Sequence, residues 1–398
     1  MKTNILILLC LCLLNLSCNN DDDNAPDQEI TQTDLINATA SLASYSTLVT
    51  IDLESGNTIA TQNDQLLSNL TYEDSFIGLF PDRLVRSTTT DLAGEQIWEV
   101  SPGIETGLDL SFTSSRLVIQ GNIIYLTFRA IDSGIPATFY TMMAINAVSG
   151  DTIWTISQLD NEFKHIAILN DNLITVEGPQ GFEIMTSRNL SDGSILTSWN
   201  LEERVSNLIT GTNEVIVMSW SSAVYSIQED LTLNWTFSTS GANVQRGAIV
   251  GNQFLFHSRD KNIYAVNLQT ADLNWSQAFP DLFIRHFFND GTSIWSVTQD
   301  FNTNTFNINE LDTSTGTISS NFNIPLPIAP DDVGEVEVLS FSDYLLILTG
   351  RSGGSTITDF YKYKTQEMIW QSEVDLNDIF TIKANILLGN NRYAPTSF

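Results

Sequence analysis

The stretch AVSGDTIWTI, residues 147 to 156, returns in imperfect copies along the chain, and no other feature restricts the fold as strongly. Aligned on the turn, the copies are SGNTIA, AGEQIW, SGDTIW, DGSILT, DLTLNW, TADLNW, TGTISS and TQEMIW, ending at Ala60, Trp98, Trp154, Thr197, Trp235, Trp275, Ser320 and Trp370. The intervals between these ends are 38, 56, 43, 38, 40, 45 and 50 residues. Four residues before the turn glycine there is usually a short polar side chain: Asp52, Thr90, Asn146, Asn189, Asn267 and Asp312. Such a side chain bonds the backbone of the turn it introduces, and glycine supplies a positive φ, so each copy reads as a hairpin.

Upstream of each hairpin lies a further apolar run, for example NIIYLTF, NEVIVMSW or DYLLIL, with a weaker one before it, which makes about four short strands per unit. Repeats of ~40–50 residues built of four strands are the period of propeller blades. The spacing therefore predicts an all-β fold, an eight-bladed β-propeller of four-stranded antiparallel blades over residues 41–398. Trp98, Trp154, Trp235, Trp275 and Trp370 are expected to pack between blades, because a regularly recurring large ring is what a repeated core needs. Ala60, Thr197 and Ser320 lack the ring, so their junctions should pack differently, with Trp199 a candidate replacement beside Thr197. The hairpin Leu48 to Thr61 has no complete pair of strands before it, and 378 to 391 has no turn copy after it, so the two ends are expected to close one blade jointly.

The segment AINAVSGDTIW, Ala144 to Trp154, resembles the A-x-D-x-x-T-G-x-x-x-W signature of PQQ-type, or quinoprotein-like, β-propellers, and Ala265 to Trp275 keeps the spacing without the glycine. The resemblance covers roughly residues 40 to 398 and implies the propeller fold. Within that family, length and leader look most like the lipoproteins of the outer-membrane barrel-assembly machinery, which implies an eight-bladed scaffold.

The leader carries one cation, Lys2, and an apolar run from Ile5 to Leu14, shorter than the ~20 residues that span a bilayer, so residues 1–17 read as an export signal. Leu16, Ser17 and Cys18 resemble a lipoprotein cleavage and acylation site, which makes Cys18 the expected lipidation residue. Residues 18–40 open with NNDDDNAPDQE, too polar to bury a core, and are expected to form a solvated tether similar to the surface-export tag of bacterial lipoproteins. The expected location is the outer membrane, on its periplasmic or its exposed side.

Cys10, Cys12 and Cys18 all lie at or before this junction, which leaves the mature chain no disulfide and no cysteine metal site. The quinone-dependent dehydrogenases that the resemblance brings to mind need a cysteine pair, absent here, so no quinone cofactor and no catalytic activity are expected. His165, His257 and His286 are not at metal-ligand spacing, although the last two fall in successive blades. A net charge of −30 repels phosphate backbones and anionic headgroups, which argues against nucleic acid.

The remaining reading is a monomeric, lipid-anchored scaffold without metal or cofactor that binds protein partners at the envelope. Insertions at 129–137, 324–334 and 350–357 fall on one face of the meander, and Ile131, Ile135, Leu326 and Ile328 within them form the expected partner-binding face. The alternative is a glycan-binding or glycan-active protein with Trp220 and Trp295 at the propeller mouth.

Overall fold

The computed structural model describes residues 35 to 393 except 36–37, 44–47, 63–67, 74, 81, 89–94, 102–108, 133–136, 160, 180–181, 242, 330–332, 352–354, 375, 377–382 and 389–390. Cys18, Thr90 and Ile135 thus lie outside the described residues.

The described chain is a β-propeller of four-stranded antiparallel blades. The N-terminal segment contributes β1 (Thr39–Ala43), β2 (Leu48–Asp52) and β3 (Thr58–Gln62). Seven sheets follow, each a meander of four consecutive strands. They are β4 (Ser68–Tyr72), β5 (Ser75–Leu79), β6 (Leu84–Ser87) and β7 (Gln96–Val100); then β8 (Asp109–Gln120), β9 (Ile123–Asp132), β10 (Ala137–Asn146) and β11 (Thr152–Leu159). Next come β12 (Phe163–Leu169), β13 (Asn172–Glu177), β14 (Ile184–Asn189) and β15 (Ile195–Asn200); then β16 (Val205–Thr210), β17 (Val215–Ser219), β18 (Ala223–Ile227) and β19 (Leu233–Ser238). The fifth is β20 (Val244–Val250), β21 (Gln253–Ser258), β22 (Asn262–Asn267) and β23 (Leu273–Ala278), and the sixth β24 (Phe283–Asn289), β25 (Ile294–Asp300), β26 (Thr305–Leu311) and β27 (Ile318–Pro325). The seventh is β28 (Val333–Phe341), β29 (Tyr344–Arg351), β30 (Thr356–Lys362) and β31 (Glu367–Val374), after which come β32 (Lys383–Leu388) and β33 (Asn391–Tyr393).

The remaining sheet has five strands in the order β3-β2-β1-β32-β33. Thr39 to Ala43 pairs antiparallel with Leu387 to Lys383, so both ends of the chain share one sheet. First strands of neighbouring sheets touch, as β4 does β8, β8 does β12 and β12 does β16, which places them around the axis with the fourth strands outermost. In the five-stranded sheet β32 takes the axial place beside β4, and β33 bonds to its other edge. The stretch expected as tether up to residue 40 ends earlier than that. Leu35, Ala38 and Ala40 are buried in the cluster that joins this sheet to β29 and β30, and apolar side chains so placed belong to the core.

The repeated turn forms for the reason its composition suggests. The Asn146 side-chain oxygen accepts the Val148 and Ser149 N–H groups at 2.9 and 3.2 Å, and the Gly150 N–H closes on the Asn146 carbonyl at 2.8 Å. Asp52, Asn267 and Asp312 cap their turns in the same way. A register shift follows in the fourth strand, between the partners of Ala144 and Ile145, which rotates Trp154 toward the neighbouring sheet.

A meander of this kind has two ends. The capped turns, between third and fourth strands, mark one face, here termed the turn face. Connections between second and third strands, and from each fourth strand to the next sheet, gather at the opposite end, the mouth face. Since β1 runs second in its sheet, with Leu53 N–H bonded to the Ala38 carbonyl at 2.9 Å, the chain enters the propeller at the turn face.

Candidate functional site

The five tryptophans lie between sheets, each reaching a turn of the next one. The indole N–H of Trp98 donates to the Ala147 carbonyl at 2.9 Å, Trp154 to Leu190 at 3.0 Å, Trp235 to Leu268 at 2.6 Å, Trp275 to Thr313 at 3.0 Å and Trp370 to Leu53 at 2.8 Å. Each bond satisfies a buried polar group of the ring while its apolar body fills the space under the turn. Around Trp370 the fit is close enough that a Cβ on Gly56 would stand 2.6 Å from the ring. Two junctions without this tryptophan use other rings. Trp199 meets Tyr225 of the next sheet edge-on at 6.2 Å, and Trp295, in the sheet that carries Ser320, meets Tyr363 of the next at 4.8 Å.

Basic residues recur in the strands nearest the axis. Five cations lie in axial first strands, Arg116, Lys164, Arg246, Arg285 and Lys383, against three acids, Asp109, Glu335 and Glu337, in a chain of 17 basic and 47 acidic residues overall. Arg204 immediately precedes a sixth such strand, β16. Arg116, Lys164 and Arg204 converge on a cavity of about 260 Å³ that Glu162, His165, Val205, Ser206 and Trp220 also line. Strands β8, β12 and β16 position them because the first residues of β12 and β16 reach the mouth together.

Within this cavity Lys164 pairs with Glu183 at 2.6 Å, and Glu183 is fixed in turn by the Val205 N–H at 2.7 Å. The Arg204 guanidinium lies over the Trp220 ring at 4.5 Å, while Trp220 remains 42% exposed. Solvent reaches Arg116, yet enough protein surrounds it for burial to lower its pKa, an effect that Glu162 partly opposes; both observations describe a group inside a concave, wet opening. His165 reports the local field. Its pKa is pushed down to about 3, by burial first and then by the positive charge of Arg116, with Lys164 and Arg204 adding to it. A second cavity of about 250 Å³ shares Val205 and is lined by Trp199, Tyr225, Glu202 and Glu203.

Further along the mouth, Phe283 and Phe301 meet edge-on at 5.5 Å and are 53% and 43% exposed. Lys261 and Arg285 lie over Phe283 at 5.9 and 5.7 Å. Phe182, in the β13–β14 connection, is 77% exposed.

Several residues stand elsewhere than the sequence suggests. Leu326 and Ile328, expected on an exposed partner-binding face, are 7% and 9% exposed. Leu326 packs into the cluster of Phe306, Ile308 and Val336, and its N–H and the Ile328 carbonyl are tied to Asn304, so this connection folds back over the blade edge. Ile131 sits within β9, paired with Asp109 and Thr138, instead of in a loop. Trp295 is buried near the turn face, its indole N–H on the Asp290 carboxylate at 3.0 Å, which removes it from the mouth. His257 and His286 are close enough for the charge of one to bear on the other, and burial first, then Arg246, pushes both down to about 3. Among the described residues no group of three or more His, Cys, Asp or Glu side chains is arranged to hold a metal ion. The grouping of Arg116, Lys164 and Arg204 escapes a reading that looks for spaced motifs. Its signal is that the few cations of an acidic chain recur at the first strand of successive units.

No family model matches the chain. No curated protein matches it either. Solved structures share the fold. BamB from Moraxella catarrhalis superposes with a TM-score of 0.55 at 9% identity, over 88% of this chain and 98% of BamB. The computationally designed Ika8 protein gives 0.58 at 14% identity, over 81% of this chain and 92% of its own. The dihydro-heme d1 dehydrogenase NirN, in complex with DHE, gives 0.60 at 11% identity, over 86% of this chain and 74% of its own. The chain is thus a BamB-like β-propeller in fold.

Proposed function

We propose that this chain is a non-catalytic propeller scaffold, anchored by lipid on Cys18 at the outer membrane or cell surface, whose mouth face docks a protein partner. On this reading the five-stranded sheet is the eighth blade, residues 1–17 are removed on export, and the tether runs from Cys18 to the turn face. The observation that carries it is the set of aromatic rings left in solvent on one face, Phe182, Trp220, Phe283 and Phe301, with arginine or lysine over two of them, Trp220 and Phe283. Aromatic residues and arginine are enriched where proteins meet. The resemblance to the barrel-assembly lipoproteins, together with the shared fold of BamB, supports an envelope location.

Two experiments test the reading. Cys18→Ala should release the protein from washed membranes, and retention would overturn the anchor. A photo-crosslinking residue at Phe182 or Phe301 should capture a discrete envelope protein in cells, whereas one at Ile153, exposed on an outer strand, should not. Equal capture from both positions would overturn the docking face.

A further inference from the structure

The docking reading leaves the chemistry of the partner open, and the cavity between β8, β12 and β16 narrows it. Resting on that reading, we propose that this cavity receives the carboxylates of an acidic peptide segment supplied by the partner.

Three observations carry the assignment. Charge comes first. The chain's surface is acidic, yet this cavity holds Arg116 and Arg204 against Glu162, with Lys164 and Glu183 already paired, which leaves one net positive charge. A cleft with a net positive charge within an acidic surface focuses the field on an acidic ligand. Among the described residues Arg204 makes no ion pair; its guanidinium lies over the Trp220 ring and lines the cavity. Second is the shape of the ligand. The cavity is concave and small, the volume of a few side chains, and Trp220 forms one wall as an apolar surface on which the stems of glutamates can lie. Third, the half-buried His165 lines the same cavity beside the three cations and is hydrogen-bonded to the Val205 backbone, which holds this wall in place. Guanidinium groups bind carboxylates in two parallel hydrogen bonds, which a bare ammonium does not match.

The test uses the purified full chain and a fluorescein-labelled octaglutamate peptide at low ionic strength. Binding is expected, weakening as salt rises, and the Arg204→Gln variant should bind at least tenfold more weakly with an unchanged melting temperature. Arg351→Gln makes the same charge change at an exposed arginine paired with Glu373 and should leave binding unaltered. No binding by the wild type, or equal weakening in both variants, would overturn the proposal. So would tighter binding of octagalacturonate than of octaglutamate, which would assign the cavity to an anionic glycan. Crosslinking from Phe182 in the Arg204→Gln background separates the two readings. If the same partner is captured as efficiently as in wild type, the docking face stands and the acidic segment does not.

Discussion

Arg246 of β20 reaches past the whole of β24 to Glu337 of β28, with its guanidinium 3.4 Å from the carboxylate and donating to the Arg285 carbonyl of β24 at 2.7 Å on the way. One side chain thereby ties three successive first strands across the axis. Glu337 is buried and Arg246 about a quarter exposed, so removing the cation leaves a carboxylate with little water to compensate it. Arg246→Gln should cost ~1–2 kcal/mol and accelerate hydrogen exchange in β24. Adding Glu337→Gln should recover part of that cost in a double-mutant cycle, and purely additive losses would show that the pair is not coupled.

Gly56 and Gly121 both have positive φ, +74° and +55°, but only Gly56 faces a ring. Alanine at either position costs ~1 kcal/mol in backbone strain. At Gly56 the added methyl also collides with Trp370, and overpacking of this kind adds ~1–3 kcal/mol. Chemical denaturation of the two variants should therefore differ by the second amount. Equal losses would mean that Trp370 moves aside freely.

Asp359 of β30 is fully buried, with one oxygen accepting from Gln371 at 2.6 Å, and burial pushes its pKa up to about 6. A carboxyl whose folded pKa exceeds its unfolded value favours the folded state fully below the unfolded value, and that contribution is lost as pH rises through about 6. Asp359→Asn should then stabilise the protein by up to ~3 kcal/mol at pH 8 and change little near pH 3.5. His165, His257 and His286 act oppositely. With folded pKa values pushed down to about 3, each withdraws stability as pH falls below its ordinary range. The difference in melting temperature between variant and wild type, measured across pH, cancels the histidines and isolates Asp359. A flat difference would show that folding does not raise the Asp359 pKa.

Trp220 and Trp295 make a second contrast. Trp295→Ala opens a cavity between β25 and Tyr363 and should cost ~3–5 kcal/mol, whereas Trp220→Ala, at the rim, should stay within ~0.5 kcal/mol. Comparable losses in thermal melts would contradict the placement of one of the two rings.

Deleting residues 383 to 398 removes the partner of β1 and exposes its edge. The truncated chain should melt well below the wild type and aggregate, and an unchanged melting temperature would show that closure through β32 is dispensable.

The turn chemistry was legible because it is local. Asn146 and Gly150 fix a hairpin within five residues, and the tryptophan that follows records which way the fourth strand faces. Burial of Leu326 and Ile328 was not legible, since it depends on Asn304, more than twenty residues away, holding the connection down. Trp295 misled for a related reason. An aromatic residue near a strand start looks the same whether it faces the mouth or the turn face, and only its bond to Asp290 distinguishes them. The cavity at Arg116, Lys164 and Arg204 arises from strands some forty to fifty residues apart meeting at one level of the ring, a coincidence of register that no single repeat displays.

The pairing of β1 with β32 also sets a clock. Thr39 must wait for Leu387, so the first strand to leave the ribosome is among the last to find its neighbour. At ~5–20 residues per second, synthesis of the intervening chain takes on the order of 20–70 s, during which β1 has no permanent partner. For an exported chain the interval includes passage across a membrane, and a nascent propeller of this design is most vulnerable to proteases and to pairing with another copy just before its C-terminus arrives.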